Sequence, residues 1–199
     1  MHRTAHWPAT APPLDPVSGY LDIETTGLDA RRHGVIAVGL FHAPNATPVV
    51  DQVFAEEPGE ERALVAWTVE MVSSLERVVT YNGTRFDLPF LSARAARWRI
   101  TWPPVVHEDL LMDARRWLRG RACSDGRLQT VLAHLNVPRH DGTTGAAVPI
   151  LYRRWLREGE ATVRDAVLNH NREDVVALPA LAVALRRARP TTDGWTVVR

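Results

Sequence analysis

Val17-Ser18-Gly19-Tyr20-Leu21-Asp22-Ile23-Glu24-Thr25-Thr26-Gly27-Leu28 is the stretch on which the reading of the chain turns. Val17 to Ile23 alternates apolar and polar residues and runs into Thr25-Thr26-Gly27, the pattern of a strand that ends in a turn. Successive side chains on a strand point to opposite faces. Asp22 and Glu24 therefore project from one face and can converge on a single ion, while Leu21 and Ile23 supply the buried side. Taken alone, an Asp-x-Glu pair on a strand is more often a solvated face.

The neighbouring segments extend this strand into a sheet. Gly34 to Phe41 and Pro48 to Phe54 are short, Val-rich and separated by Pro44-Asn45, which predicts three antiparallel strands in sequence. Pro58-Gly59-Glu60-Glu61 then opens a helix over Ala63 to Leu75, with acids in its first turn. Arg77 to Tyr81 is a fourth strand and Phe86 to Trp98 a second helix, a unit that predicts parallel pairing. Val105 to Glu108 is a fifth strand. The rest reads as helical: Leu110 to Leu118, Leu128 to Leu135, Pro149 to Arg157, and Thr162 to Arg189 with a break at Pro179.

Composition bounds the possibilities. A chain of 199 residues, 45% of them hydrophobic, suits one sizeable core. That domain is expected over residues 17–189, between a flexible Pro-rich arm (1–16) and a tail (190–199). The arm lacks the apolar core and cleavage site of a secretory signal, and the apolar run Gly34 to Phe41 is far shorter than the roughly 20 residues of a membrane helix. Cys123, the only cysteine, cannot form an internal disulfide, so a cytoplasmic setting is expected. It has no evident His partner and reads as incidental. The formal net charge is +1, yet twelve arginines face five acids between Arg94 and Arg157. Such a stretch is either the electrostatic footprint of a polyanion or a solvated surface in a chain that uses no lysine.

Two further segments carry chemistry. Tyr81-Asn82-Gly83-Thr84-Arg85-Phe86-Asp87 begins at a strand end, and its Asn-Gly could mark a hairpin. Phe86, Phe90, Leu91 and Ala95 recur at helical spacing instead, and Pro89 suits a first helical turn, which places Asp87 at a helix start. In Asn169-His170-Asn171-Arg172-Glu173-Asp174, His170 and Asp174 are four apart and share a helix face, so a metal ligand and a proton acceptor can point together. Carboxylates are hard oxygen ligands suited to Mg2+ or Mn2+, and no cysteine pair or histidine pair offers a zinc site.

In this order, the three segments resemble the motifs of the DEDD superfamily of exonucleases. The likeness extends to its YprB-like ribonuclease H-like domain through Tyr81 to Asp87, Asp109-Leu110-Leu111 to Arg115-Arg116, the Tyr152 region and Asn171 to Val175, and covers about Gly19 to Leu185. The resemblance implies an α/β fold with a ribonuclease H-like mixed sheet, three antiparallel strands followed by parallel strands, flanked by helices. It implies two Mg2+ or Mn2+ ions on Asp22, Glu24, Asp87 and Asp174, with Asp22 bridging both. It also implies removal of nucleotides from the 3′ end of DNA or RNA, single-stranded at that end, with Thr25, Leu28, Asn82 and Phe86 against the terminal nucleotide. His170 stands at the spacing where the superfamily carries Tyr; the family's His lies one residue further from the last Asp. It is the expected base for the attacking water. Asp109 could be a further ligand, a partner behind the ligands or a helix cap. The competing functions are a binding module of the same fold without catalysis, and an endonuclease. Trp98, Trp102, Trp117 and Trp155 could stack bases, but core packing is the expected fate of most of them.

Overall fold

The computed structural model describes residues 2–4, 17–119, 121 and 125–188. One six-stranded sheet runs in the order β1-β4-β3-β2-β5-β6. The strands are β1 (His2–Thr4), β2 (Ser18–Thr25), β3 (Val35–His42), β4 (Val49–Phe54), β5 (Arg77–Thr80) and β6 (His107–Asp109). β2, β3 and β4 pair antiparallel, and β5 and β6 join parallel beyond β2. The helices are α1 (Glu61–Ser73), α2 (Asp87–Arg97), α3 (Leu110–Leu118), α4 (Leu128–His134), α5 (Val148–Glu158) and α6 (Ala161–Arg187). The meander followed by parallel strands is the expected mixed sheet.

Helices cover both faces. Leu21 and Ile23 of β2 pack with Val38 and Leu40 of β3 against Leu64 and Val65 of α1 and Phe90 and Leu91 of α2. On the opposite face Tyr20, Phe41 and Val79 meet α3, α4 and the Val175 to Leu185 half of α6, while Ile36 and Ala37 meet Val148, Tyr152 and Val167. This explains a departure from the expected half-exposed strand. Every residue of β2 except Asp22 is buried, because the second face lies under α6. The four tryptophans singled out above pack against these clusters, as core residues do.

Three differences from the sequence reading stand out. His2–Thr4, read as part of the arm, pairs antiparallel with β4; residues 5–16, Cys123 and the tail lie outside the described residues. The expected break at Pro179 does not occur, and α6 runs through it. Proline in a helix interior costs about 3 kcal/mol. Burial of Val175, Leu178, Leu181 and Leu185 along the same helix, at about 1.5–3 kcal/mol for each large side chain, outweighs that cost. Finally, ion pairs engage much of the basic middle segment. Arg94 is buried on Glu61 at 2.5 Å, Arg116 pairs with Asp113 at 2.7 Å and Arg154 with Glu158 at 2.5 Å.

The sheet changes direction at β2, with antiparallel β3 on one side and parallel β5 on the other. Crevices of α/β sheets open at the carboxyl ends of strands beside such a switch. At that end of β2 the register with β3 shifts between Glu24 and Thr25, a bulge that re-aims the strand as it leaves the sheet.

Candidate active site

All nine expected site residues line one cavity of about 880 Å3: Asp22, Glu24, Thr25, Leu28, Asn82, Phe86, Asp87, His170 and Asp174. β2 supplies the first carboxylates. Asp22 and Glu24 lie on the α6 face of the strand, where alternation puts them.

Asp87 arrives through a turn whose shape is held locally. Asn82 adopts a left-handed φ of 67°, and the N–H of Gly83 donates to Thr80 Oγ1 at 3.1 Å. A Cβ on Gly83 would lie 2.1 Å from that oxygen, so only glycine fits. Asp109 clamps the same turn. Its carboxylate accepts from the N–H groups of Asn82 (2.8 Å), Thr84 (3.0 Å) and Leu111 (3.0 Å), which caps α3 and fixes residues 82–84 together. Burial pulls Asp109 up, but these hydrogen bonds outweigh it and hold the carboxyl below the usual range. Asp109 is therefore a cap and clamp. Asp87 then begins α2 with Oδ1 accepting from Ile23 N at 3.2 Å, which ties it to β2 between the other two acids.

α6 brings His170, Asn171 and Asp174. His170 Nε2 stands 3.8 Å from both Glu24 Oε1 and Asp174 Oδ2. One ligand atom each from Glu24, His170 and Asp174 lie within 4.8 Å of one another, close enough to share an ion. On the other side of the ring, Nδ1 lies 2.7 Å from Asp141 Oδ2. Arg139 Nη2 lies 2.8 Å from the same nitrogen, so the loop engages Nδ1 from two sides and leaves Nε2 toward Glu24 and Asp174.

Three partners of these residues escaped the sequence reading. Arg139 and Asp141 come from the loop between α4 and α5, which is anchored on α6 by His140 N donating to Glu173 Oε2 at 2.9 Å. Arg139 forms ion pairs with both Asp141 and Asp174. Neither residue lies in a periodic segment, so no pattern marks them. Asn171 has no exposed surface. It donates from Nδ2 to Asp22 O at 3.1 Å and Asp22 Oδ2 at 2.9 Å, and accepts from Gln52 Nε2 at 2.9 Å. Its adjacency to His170 was visible in the sequence, but its aim was not.

The electrostatics follow from this crowding. Burial pushes Asp22 from its ordinary 3.8 up to about 7, against the pull of Asn171 and Arg139. Burial, then the neighbouring charges of Asp22 and Asp87, pushes Glu24 well above the carboxylate range. Asp87 rises by burial and by Asp22. Burial outweighs Asp141 at His170 and lowers the imidazole. Four clustered carboxylates with Arg139 as their close cation are short of positive charge, and their hard oxygens suit divalent cations. The residues fit such ions.

Comparison with known proteins bears on the fold and the family. YprB of Bacillus subtilis (strain 168) is 29% identical over 172 residues, covering 84% of this chain and 41% of YprB, so the chain spans less than half of that relative. NrnC of Brucella melitensis with bound Mg2+ superposes with a TM-score of 0.53 at 17% identity, over 88% of this chain and 75% of NrnC. The complex of E. coli exonuclease I with single-stranded DNA does so with a TM-score of 0.56 at 15% identity, over 87% and 41%. These superpositions establish a shared ribonuclease H-like fold. The model of the RNase_H_2 family matches residues 19–186, nearly the whole described domain, and the chain belongs to the RNase_H superfamily.

Proposed function

We propose that this protein is a metal-dependent nuclease that hydrolyses phosphodiester bonds, removing nucleotides from the 3′ end of single-stranded DNA or RNA. The observation that carries this is the convergence of Asp22, Glu24, Asp87 and Asp174 on one solvent-connected cavity, three of them pushed toward the neutral form. Buried charge of this kind is costly unless a cation compensates it, and a cavity open to a strand end gives the compensation a use. Asp22, Glu24, Asp87 and Asp174 would hold two divalent ions, Mg2+ or Mn2+. Ions held there supply the charge that stabilises the attacking and leaving oxygens of an in-line displacement at phosphorus.

The chain's own residues do the rest. Asp141 and Arg139 hold the His170 ring at Nδ1, and Nε2 faces the attacking water as its proton acceptor. Asn171 holds one oxygen of Asp22. At the mouth, Leu28 is 85% exposed beside the half-buried Phe86, and the two offer apolar surface to the terminal base. Asn82 and Thr25 supply polar contacts to its sugar.

The test uses oligonucleotides of DNA and RNA labelled at either end, with Mg2+, Mn2+ or EDTA, alongside Asp22→Ala and Asp174→Ala. A ladder receding from the 3′ end, dependent on metal and absent in both variants, is the expected result. Internal cuts would replace this reading with an endonuclease. Binding without cleavage would replace it with a non-catalytic module.

A further inference from the structure

The cavity continues beyond the carboxylates. A second hollow of about 390 Å3 shares Asp22, Tyr81, Asn82, Arg127, Leu128 and Asp174 with it and extends between α3 and the start of α4, past Leu111 and Arg115. Its acids, Asp22 and Asp174, both belong to the inner end. From Arg127 outward the lining is cationic. Arg115 is exposed on α3 and pairs with no acid among the described residues, while the Arg127 side chain is 84% exposed and its Nε meets Asp125 only at 3.5 Å. This sets them apart from Arg94, Arg116, Arg139 and Arg154, whose charges are engaged closely elsewhere.

The wall is also aromatic. Tyr81 lines both hollows, and its hydroxyl donates to Gly126 O at 2.6 Å, which fixes the ring. Exposed arginines along a groove, with a fixed ring on its wall, match what an extended single strand presents: phosphates and π-faced bases.

We propose that this hollow is the track for the nucleic-acid strand leading away from the scissile bond, with Arg115 and Arg127 each on a backbone phosphate and Tyr81 under a base. The substrate is then a single strand several nucleotides long, held mainly by its backbone and with little sequence preference. This rests on the nuclease reading for the identity of the site, but it is tested by binding.

The experiment measures binding of fluorescein-labelled thymidylate and uridylate dodecamers, and of the thymidylate dinucleotide, to the full chain in Ca2+ over a salt series. Each neutralised phosphate of a single strand contributes about 0.7 to the slope of log K against log salt. Arg115→Ala/Arg127→Ala should raise the Kd for a dodecamer and flatten its slope by about 1.4, and Arg115→Ala alone should leave the dinucleotide unchanged. Arg153→Ala/Arg157→Ala, exposed on α5 away from the hollow, should leave the slope as it was. An unaltered slope in the first pair, or equal flattening in the second, overturns the track. The cleavage assay separates the two ideas. A flattened slope without any cleavage keeps the track and removes the nuclease, whereas cleavage with an unaltered slope does the reverse.

Discussion

Replacing Gly39 with alanine should disable the site from the opposite side of the strand pair, without touching a carboxylate. Gly39 is the β3 partner of Asp22, and its missing side chain leaves the space that Asn171 fills. An alanine Cβ there would lie 2.2 Å from Asn171 Oδ1, 3.0 Å from its Cγ and 3.2 Å from Val175 Cγ1. Contacts between carbon atoms are optimal at about 3.5–4.0 Å, so the amide must move by more than about 1 Å. It is bound on both sides, by two bonds to Asp22 and one from Gln52. Losing the three at about 1 kcal/mol each, against about 0.8 kcal/mol for one more buried methyl group, gives a net loss of about 2 kcal/mol. For a domain of this size that is a Tm lower by about 4–8 °C. Affinity for Mn2+ should fall as well, because Asp22 loses its orienting donor. Urea denaturation and titration calorimetry read the two effects. Gly39→Ala/Asn171→Ala has room for the methyl group and should recover stability relative to the additive expectation, while Mn2+ affinity stays low. A Gly39→Ala protein with wild-type stability and Mn2+ affinity would refute the reasoning.

Three other perturbations follow from the same structure. In EDTA, the raised Asp22 carboxyl binds its proton more tightly in the folded state, so its contribution to stability is full below about pH 4 and is lost by about 1.4 kcal/mol per pH unit as pH rises toward 7. Asp22→Asn should therefore be more stable than wild type in EDTA at neutral pH and show a flatter Tm profile, while wild type alone gains stability from added Mn2+. Glu61 accepts from Val35 N at 2.9 Å, Trp98 Nε1 at 3.0 Å and Arg94 Nη2 at 2.5 Å, and burial is outweighed so that its pKa is lowered. Glu61→Ala leaves Arg94 buried without its partner and should cost about 3–5 kcal/mol in urea denaturation. The difference should shrink as wild type is acidified through the lowered pKa and loses the same charge. Asp141→Ala removes one of the two partners of His170 Nδ1 and a carboxylate partner of Arg139, and should lower kcat by about 10–100-fold, with a smaller change in KM for a labelled oligonucleotide. An unchanged kcat would remove Asp141 from the machinery.

What could be read along the chain was local. A period of two placed Asp22 and Glu24 on one face of β2, and a helical period placed His170 beside Asp174. The Asn82-Gly83 turn into Phe86, Phe90 and Leu91 placed Asp87 at a helix start. Each is a relation within a few residues, where backbone geometry alone decides which side chains are neighbours. The same locality explains the misreading at Pro179, since the loss of one helical hydrogen bond is visible in the sequence and the apolar surface that outweighs it is not.

Only the tertiary structure could decide what those motifs meet. The distance from Asp22 to Asn171, from His170 to Asp141, or from Asp174 to Arg139 depends on how α6 and the loop before α5 lie across the sheet, and no periodicity encodes that. Nor could the basic middle segment be divided from composition alone into arginines held closely by acids and the exposed pair, Arg115 and Arg127, that faces the cavity. The carboxylate motifs were legible because alternation along one strand and spacing along one helix are set by bonded geometry. Their charge state, their orienting partners and the path leading away from them arise from non-bonded contacts between distant segments, which exist only once the sheet and α6 have packed.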